Sequence, residues 1–275
     1  MGKVTLENGI RIYYEAEGRG EAVALVQGLD RDHTGMRFQR KELAKHFRVI
    51  TYDARGTGLS DTPEGPYTCL QMADDLAYLL KALGIKKAHI MGASMGGTIA
   101  QEFAIKYPDM AGRLVLLCTY MKADAFIQQL AKFWMQAVEK TGHVLLCEGI
   151  LPWLYTRDFF EDQQLALNWA RKLIREQEPF YSIRGFQWKA QAALSADTSA
   201  RLHLINAPSL VVAGELDLVV PPALCKKLAD AIKGARFTII SGGGHAFFDE
   251  KPFELNEMAL DFLLADKLIG TAPII

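Results

Sequence analysis

Apolar and polar positions along this chain follow two different periods. In short runs nearly every residue is apolar, as in a strand buried on both faces: Ala22–Val26, Arg48–Tyr52, the stretch ending at Ile90-Met91, and residues 114–118, 210–213 and 237–240. Between these runs the apolar residues recur every three or four positions. Met72, Leu76, Leu79 and Leu83 give one helix its apolar face, and Gly84 closes it. Ile99, Phe103 and Tyr107 mark a second helix stopped by Pro108; Leu224, Leu228 and Ile232 mark another, and Leu255, Met258, Ala259, Phe262 and Leu263 the last. A further helical segment is expected over residues 38–46. Strands alternating with helices predict an α/β fold with a mostly parallel, doubly wound sheet covered on both faces. Residues 4–7 and 10–14 read as two strands joined at Asn8-Gly9, a pair suited to a tight hairpin, so the N-terminal pair is expected to be antiparallel. The alternation stops after Thr119. Residues 120–200 read as helices only, and strands resume beyond them. The expected organisation is a core domain of residues 1–119 and 201–275 divided by a helical cap of residues 120–200.

Composition narrows the function classes. Half of the 275 residues are hydrophobic, enough for one large core with an inserted subdomain. The formal net charge is −1, with no basic or acidic block, which gives no electrostatic case for nucleic acid. The N-terminus lacks the apolar run of a signal peptide, and no uncharged apolar run approaches the roughly 18 residues of a membrane span. Cys69, Cys118, Cys147 and Cys225 are scattered without a C-x-x-C pair, which speaks against a zinc site or a disulfide framework. A reducing cytoplasm is the simplest compartment. The expected partner is a small-molecule substrate, without nucleic acid, membrane, cofactor or metal; a homo-oligomer is compatible with the sequence.

The chemistry gathers around Ile90-Met91-Gly92-Ala93-Ser94-Met95-Gly96-Gly97. An apolar strand runs into a sharp turn carrying one serine, and a helix follows. A serine hydroxyl is a poor nucleophile until a base removes its proton, and a tight turn projects it into a cleft. Gly92 and Gly96 lack the Cβ atoms that would clash across such a turn. The helix beginning at Met95 points N–H groups to where an oxyanion would form. Six histidines could supply the base. His46, His89, His143 and His203 read as packing or boundary residues, and His33 lies in the loop after Gly28. His245 follows a strand end in Ser241-Gly242-Gly243-Gly244-His245, a loop loose enough to carry an imidazole across to another loop. The orienting carboxylate is expected to be Asp217, in Val211-Val212-Ala213-Gly214-Glu215-Leu216-Asp217, with Asp124 as the rival acid. Glu215 reads as a surface residue.

Four motifs in order, Gly92-Ala93-Ser94-Met95-Gly96, Tyr52-Asp53-Ala54-Arg55-Gly56-Thr57-Gly58-Leu59-Ser60, Gly214-Glu215-Leu216-Asp217 with Pro221, and Gly244-His245 followed by Glu250-Lys251-Pro252, resemble the α/β-hydrolase fold family over about residues 10 to 265. The resemblance implies a catalytic triad of Ser94, Asp217 and His245, and an oxyanion hole from the backbone N–H groups of Leu29 and Met95. The chain departs from the family in carrying Gln27-Gly28 where His-Gly is usual, which bears on the hydrogen bonding that shapes that loop. Asp53 and Arg55 are expected to brace their own loop. The cap holds all four tryptophans, Trp134, Trp153, Trp169 and Trp188, and Gly28, Trp134, Trp153 and Trp188 are the expected pocket residues. The expected activity is a serine hydrolase, cleaving a small to medium, largely apolar carboxylic ester or lactone through an acyl-enzyme. The alternatives are a C–C bond hydrolase of vinylogous diketones, a cofactor-free perhydrolase or haloperoxidase, and a ligand-binding receptor on the same fold. In the perhydrolase group an aromatic residue commonly stands where this chain has Leu29.

Overall fold

The chain opens with β1 (Gly2–Thr5) and β2 (Arg11–Glu17), paired antiparallel from Gly2↔Tyr14 to Thr5↔Arg11. The turn between them is wider than a two-residue hairpin. Leu6 N–H donates to Ile10 O and Gly9 N–H to Leu6 O, so the strands stop one or two residues short of the expected ends. Gly9 holds φ 83°, which a glycine adopts without strain. β3 (Ala22–Val26), α1 (Arg37–Leu43), β4 (Arg48–Tyr52), α2 (Cys69–Ala82), β5 (Ala88–Ala93), α3 (Met95–Lys106) and β6 (Ala111–Leu117) follow. This computed structural model describes residues 1–265 apart from the side chain of Trp169, so the end of the expected core domain, residues 266–275, lies outside the described residues.

After β6 come only helices: α4 (Ala125–Leu154), α5 (Arg157–Asp162), α6 (Gln164–Gln177) and α7 (Ile183–Ser195). The chain leaves and re-enters the sheet region side by side. Lys122 and Asp197 form an antiparallel bridge and a 2.7 Å ion pair, and Thr198 N–H donates to Met121 O. β7 (Ser209–Gly214), α8 (Pro222–Ala231), β8 (Arg236–Ile240), a short α9 (Phe247–Glu250) and α10 (Pro252–Leu263) complete the described fold.

Among the described residues the strands form one sheet in the order β1-β2-β4-β3-β5-β6-β7-β8, with every neighbouring pair from β4 onward parallel. Side-chain alternation explains why the central strands are apolar throughout. In β3, Ala22, Ala24 and Val26 join one core with Leu76 and Leu79 of α2 and Ile99 and Phe103 of α3. Val23 and Leu25 join the opposite core with Leu43 of α1 and Leu255, Ala259 and Phe262 of α10. The loops at the carboxyl ends of the strands are tied by buried ions. Arg55 pairs with Asp75 through Nε and Nη2 at 2.6 and 2.7 Å, both side chains 2% exposed. Asp53 accepts from the N–H groups of His33 and Leu59 at 2.7 and 2.8 Å. These loops frame the crevice outside the strand ends, where open α/β sheets bind ligands.

Candidate active site

β5 ends at Ala93 and α3 begins at Met95, so Ser94 makes the turn with φ 54° and ψ −120°. That conformation costs a residue with a side chain about 1–3 kcal/mol, and the surroundings hold it in place. Ser94 N–H donates to Leu117 O at 2.9 Å, while its carbonyl accepts from Thr119 Oγ1 at 2.7 Å and Gly97 N–H at 2.9 Å. A Cβ on Gly92 would lie 2.4 Å from Gly96 O, and one on Gly96 would lie 2.1 Å from Val26 O. No side chain fits at either position.

His245 enters from the other side. Gly244 N–H donates to Glu250 Oε2 at 2.6 Å, and Glu250 Oε1 accepts from Thr156 N–H and Oγ1 at 2.6 and 2.9 Å. Ala246 N–H donates to Leu154 O at 2.8 Å, so the histidine loop is fastened to the end of α4. His245 Nδ1 lies 2.8 Å from Asp217 Oδ2. A carboxylate only accepts, which assigns the proton to Nδ1 and leaves Nε2 as the acceptor. The other oxygen, Asp217 Oδ1, accepts from Val219 and Val220 N–H, each at 2.8 Å. Asp217 and His245 are both buried. Beside them, burial and the Asp217 charge push the Cys118 thiol well up, so it stays protonated.

Ser94 and His245 open on one cavity under the helices that follow β6. Gly28, Leu29 and Met95 line it too. A Cβ on Gly28 would be 3.5 Å from Ser94 Cβ, so this backbone runs directly against the serine turn. Neither the Leu29 nor the Met95 N–H has a partner among the described residues, which leaves both donors for a ligand oxygen. Gln27, in place of the family's histidine, is buried and donates from Nε2 to Gly35 O at 3.0 Å, closing the 28–35 loop on itself.

The four expected pocket residues separate. Gly28 and Trp134 line the cavity, whereas Trp153 and Trp188 do not. Helical phase is the reason. Ile127, Leu130, Ala131 and Trp134 form one stripe of α4; Gly142, at φ 74° and ψ 177°, then breaks the helix and resets its phase. Beyond the break Cys147, Ile150, Leu151 and Leu154 face the cavity, which turns Trp153 away toward Phe126, 6.1 Å between ring centroids. On α7, Phe186, Ala190, Ala193 and Leu194 face inward, and Trp188, about 200° round from Phe186, packs on Tyr67 at 5.1 Å and covers Gly65. The i, i+3, i+4 spacing in the sequence held this signal, which large aromatics obscured. The sequence reading missed Asp30, Arg31 and Phe248, which also line the cavity.

The rival residues have other partners. Asp124 caps α4, accepting from Ile127 N–H at 2.9 Å. Glu215 is exposed and holds Ser241 Oγ and Gly242 N–H, both at 2.7 Å. His33 is bound to Asp53, Nδ1 to Oδ1 at 2.8 Å, and is not a cavity residue. Among the described residues, three His/Cys/Asp clusters have ligand-type atoms close enough for a metal ion: Cys118 with Asp217 and His245, Asp30 with His143 and Cys147, and His33 with Asp32 and Asp53. The first two contain a thiol that burial keeps protonated, which opposes metal binding.

A family model described as the alpha/beta hydrolase fold matches residues 25–252. A putative carbamate hydrolase RutD from Caulobacter sp. (strain K31) is 31% identical, the match covering 92% of this chain and 95% of that protein. The enol-lactonase of Burkholderia xenovorans LB400 superposes with a TM-score of 0.88 at 28% identity, covering 95% of this chain and 99% of the other. A thermophilic esterase from Thermogutta terrifontis gives 0.85 at 30% identity, with 95% and 97% covered.

Proposed function

The chain belongs to the α/β-hydrolase fold family, and from that premise we propose that it is a serine hydrolase of carboxylic esters or lactones with a small to medium, largely apolar body. In this reading Ser94 Oγ attacks the carbonyl carbon while His245 Nε2 takes its proton. Asp217, fixed by two backbone N–H groups, holds the imidazole in the tautomer that can accept and stabilises the cation formed. The oxyanion meets the Leu29 and Met95 N–H groups. His245 then protonates the departing alkoxide, and water activated by the same nitrogen releases the acyl group from Ser94.

The observation that carries the proposal is a strained serine and an Asp-bound histidine opening on a single cavity whose walls are mostly aliphatic and aromatic. Those walls favour an ester or lactone with an apolar chain over a small polar substrate. The test is a panel of p-nitrophenyl esters of increasing acyl length, together with lactones, an aryl carbamate and a vinylogous diketone, each assayed for kcat/KM. Highest kcat/KM on an apolar ester or lactone is expected. Preference for the carbamate or the diketone would replace the substrate class while leaving the nucleophile in place.

A further inference from the structure

The cavity has one polar corner. Asp30 directly follows Leu29, lines the cavity, and keeps 23% of its side chain exposed. Its carboxylate accepts from the Cys147 thiol at 2.7 Å, a neutral and weak donor. Among the described residues, His143 is the only basic group within ion-pairing distance, with Nε2 4.0 Å from Asp30 Oδ2. Burial lowers the pKa of that histidine despite the Asp30 charge, so it is neutral at pH 7. Arg31 is committed to Tyr155 and Asp249, at 2.8 and 3.4 Å, and buried Lys189 to Thr57 Oγ1. His143 Nδ1 is buried without a hydrogen-bond partner, and the hydroxyl of Tyr181, whose ring stacks on His143 at 3.7 Å, turns toward the Asp30 carboxylate but falls short of a well-formed hydrogen bond.

A carboxylate facing a mostly apolar cavity is costly unless something donates to it. Unpartnered buried polar groups in a folded protein ask for a ligand or an ordered water. The protonated thiol, together with Arg31 and Lys189 within electrostatic reach of Asp30, argues against a metal ion as that ligand. We propose that Asp30, backed by Cys147, His143 and Tyr181, is a substrate subsite for a hydrogen-bond-donating group, a hydroxyl or a protonated amine, and that it rejects a carboxylate in the same position. As a statement about substrate choice this rests on the hydrolase reading above; as a statement about binding it does not.

The experiment therefore has two readouts on wild type and Asp30→Asn, a change that keeps the volume and removes the charge on a half-exposed loop. The first is kcat/KM for p-nitrophenyl esters of three-, six- and eight-carbon acids ending in methyl, hydroxyl, ammonium or carboxylate. The second is binding of n-hexylammonium and of hexanoate, followed by calorimetry without turnover. At one chain length or more, Asp30→Asn should lower the ammonium-to-methyl and hydroxyl-to-methyl ratios by roughly tenfold or more, the scale of a hydrogen bond to a charged group. It should raise the carboxylate-to-methyl ratio by a similar factor. Hexylammonium should bind wild type more tightly than hexanoate, and the difference should shrink in the variant. Equal ratios at every length, or equal affinities for the two ligands in wild type, would overturn the subsite. If wild type cleaves none of these esters and no lactone, carbamate or diketone of the earlier panel, the hydrolase reading fails, and the binding comparison still decides on Asp30.

Discussion

Replacing Asp217 by Asn removes one charge and almost no volume, and the surrounding hydrogen bonds dictate which way the new amide turns. Val219 and Val220 N–H both donate to Oδ1 and require an acceptor there, so the amide oxygen takes that position. The NH2 group then faces His245 Nδ1 across the 2.8 Å contact. A donor facing Nδ1 forces the ring proton onto Nε2, the atom that must accept from Ser94. A tautomer error of this kind costs about four decades in kcat, or about 5 kcal/mol at about 1.36 kcal/mol per decade. The same substitution at Asp124 leaves an Asn at the N-cap of α4, and Asn caps as well as Asp, so activity should fall by less than tenfold. Initial rates on the preferred p-nitrophenyl ester, with circular dichroism to confirm folding, make the comparison. If Asp217→Asn keeps more than about a tenth of wild-type kcat, or Asp124→Asn is the more damaging, the orienting role assigned to Asp217 is refuted.

Trp134→Ala should move the preference toward longer acyl chains, by up to the roughly 10- to 200-fold per methylene that apolar pockets discriminate. Trp188→Ala should lower thermal stability while leaving the long-to-short kcat/KM ratio unchanged, and a shift in that ratio would contradict its placement against Tyr67. Asp75→Asn strips the buried Arg55 of its carboxylate partner and should cost about 3–5 kcal/mol in chemical denaturation; a loss below about 1 kcal/mol would show that the pair is not the brace it resembles. Burial opposes the charge on His33, but its hydrogen bond to Asp53 and the charges of Asp53, Asp32 and Glu15 outweigh that and raise its pKa. Its contribution is then complete below about pH 6.5, the unfolded value, and fades as pH climbs through the higher folded value. His33→Gln should accordingly flatten the decline of Tm across that window, and an unchanged slope would remove His33 as its source.

The sheet was legible because its central strands are buried on both faces, a condition that leaves continuous apolar runs such as Ala22–Val26 and little ambiguity. The serine turn was legible because its glycines are forced by contacts under 3 Å that no other residue satisfies. His245 and Asp217 could be picked out as loop residues after strand ends, which is where the sheet topology delivers side chains to one crevice. The cavity wall was harder. Gly142 interrupts α4 without ending it, so the inward positions of its second half, Cys147, Ile150, Leu151 and Leu154, do not continue the stripe of Ile127, Leu130, Ala131 and Trp134, and the tryptophans alone do not mark the cavity face. Asp30 and Arg31 carry no periodic signal at all, since they belong to an irregular loop whose path is set by Gln27 and Gly35. The antiparallel pair was expected correctly, but Asn8-Gly9 alone did not reveal that the turn also consumes Leu6 and Ile10.

The central claim is that acyl transfer passes through Ser94. Wild-type enzyme mixed with an excess of a p-nitrophenyl ester should be quenched in acid within the first turnover, then digested and mapped by mass spectrometry. The account predicts one equivalent of p-nitrophenol released in the burst and the acyl group on the peptide carrying Ser94, with neither burst nor adduct in Ser94→Ala. A burst with the acyl group on another residue, or steady turnover undiminished in Ser94→Ala, would contradict it.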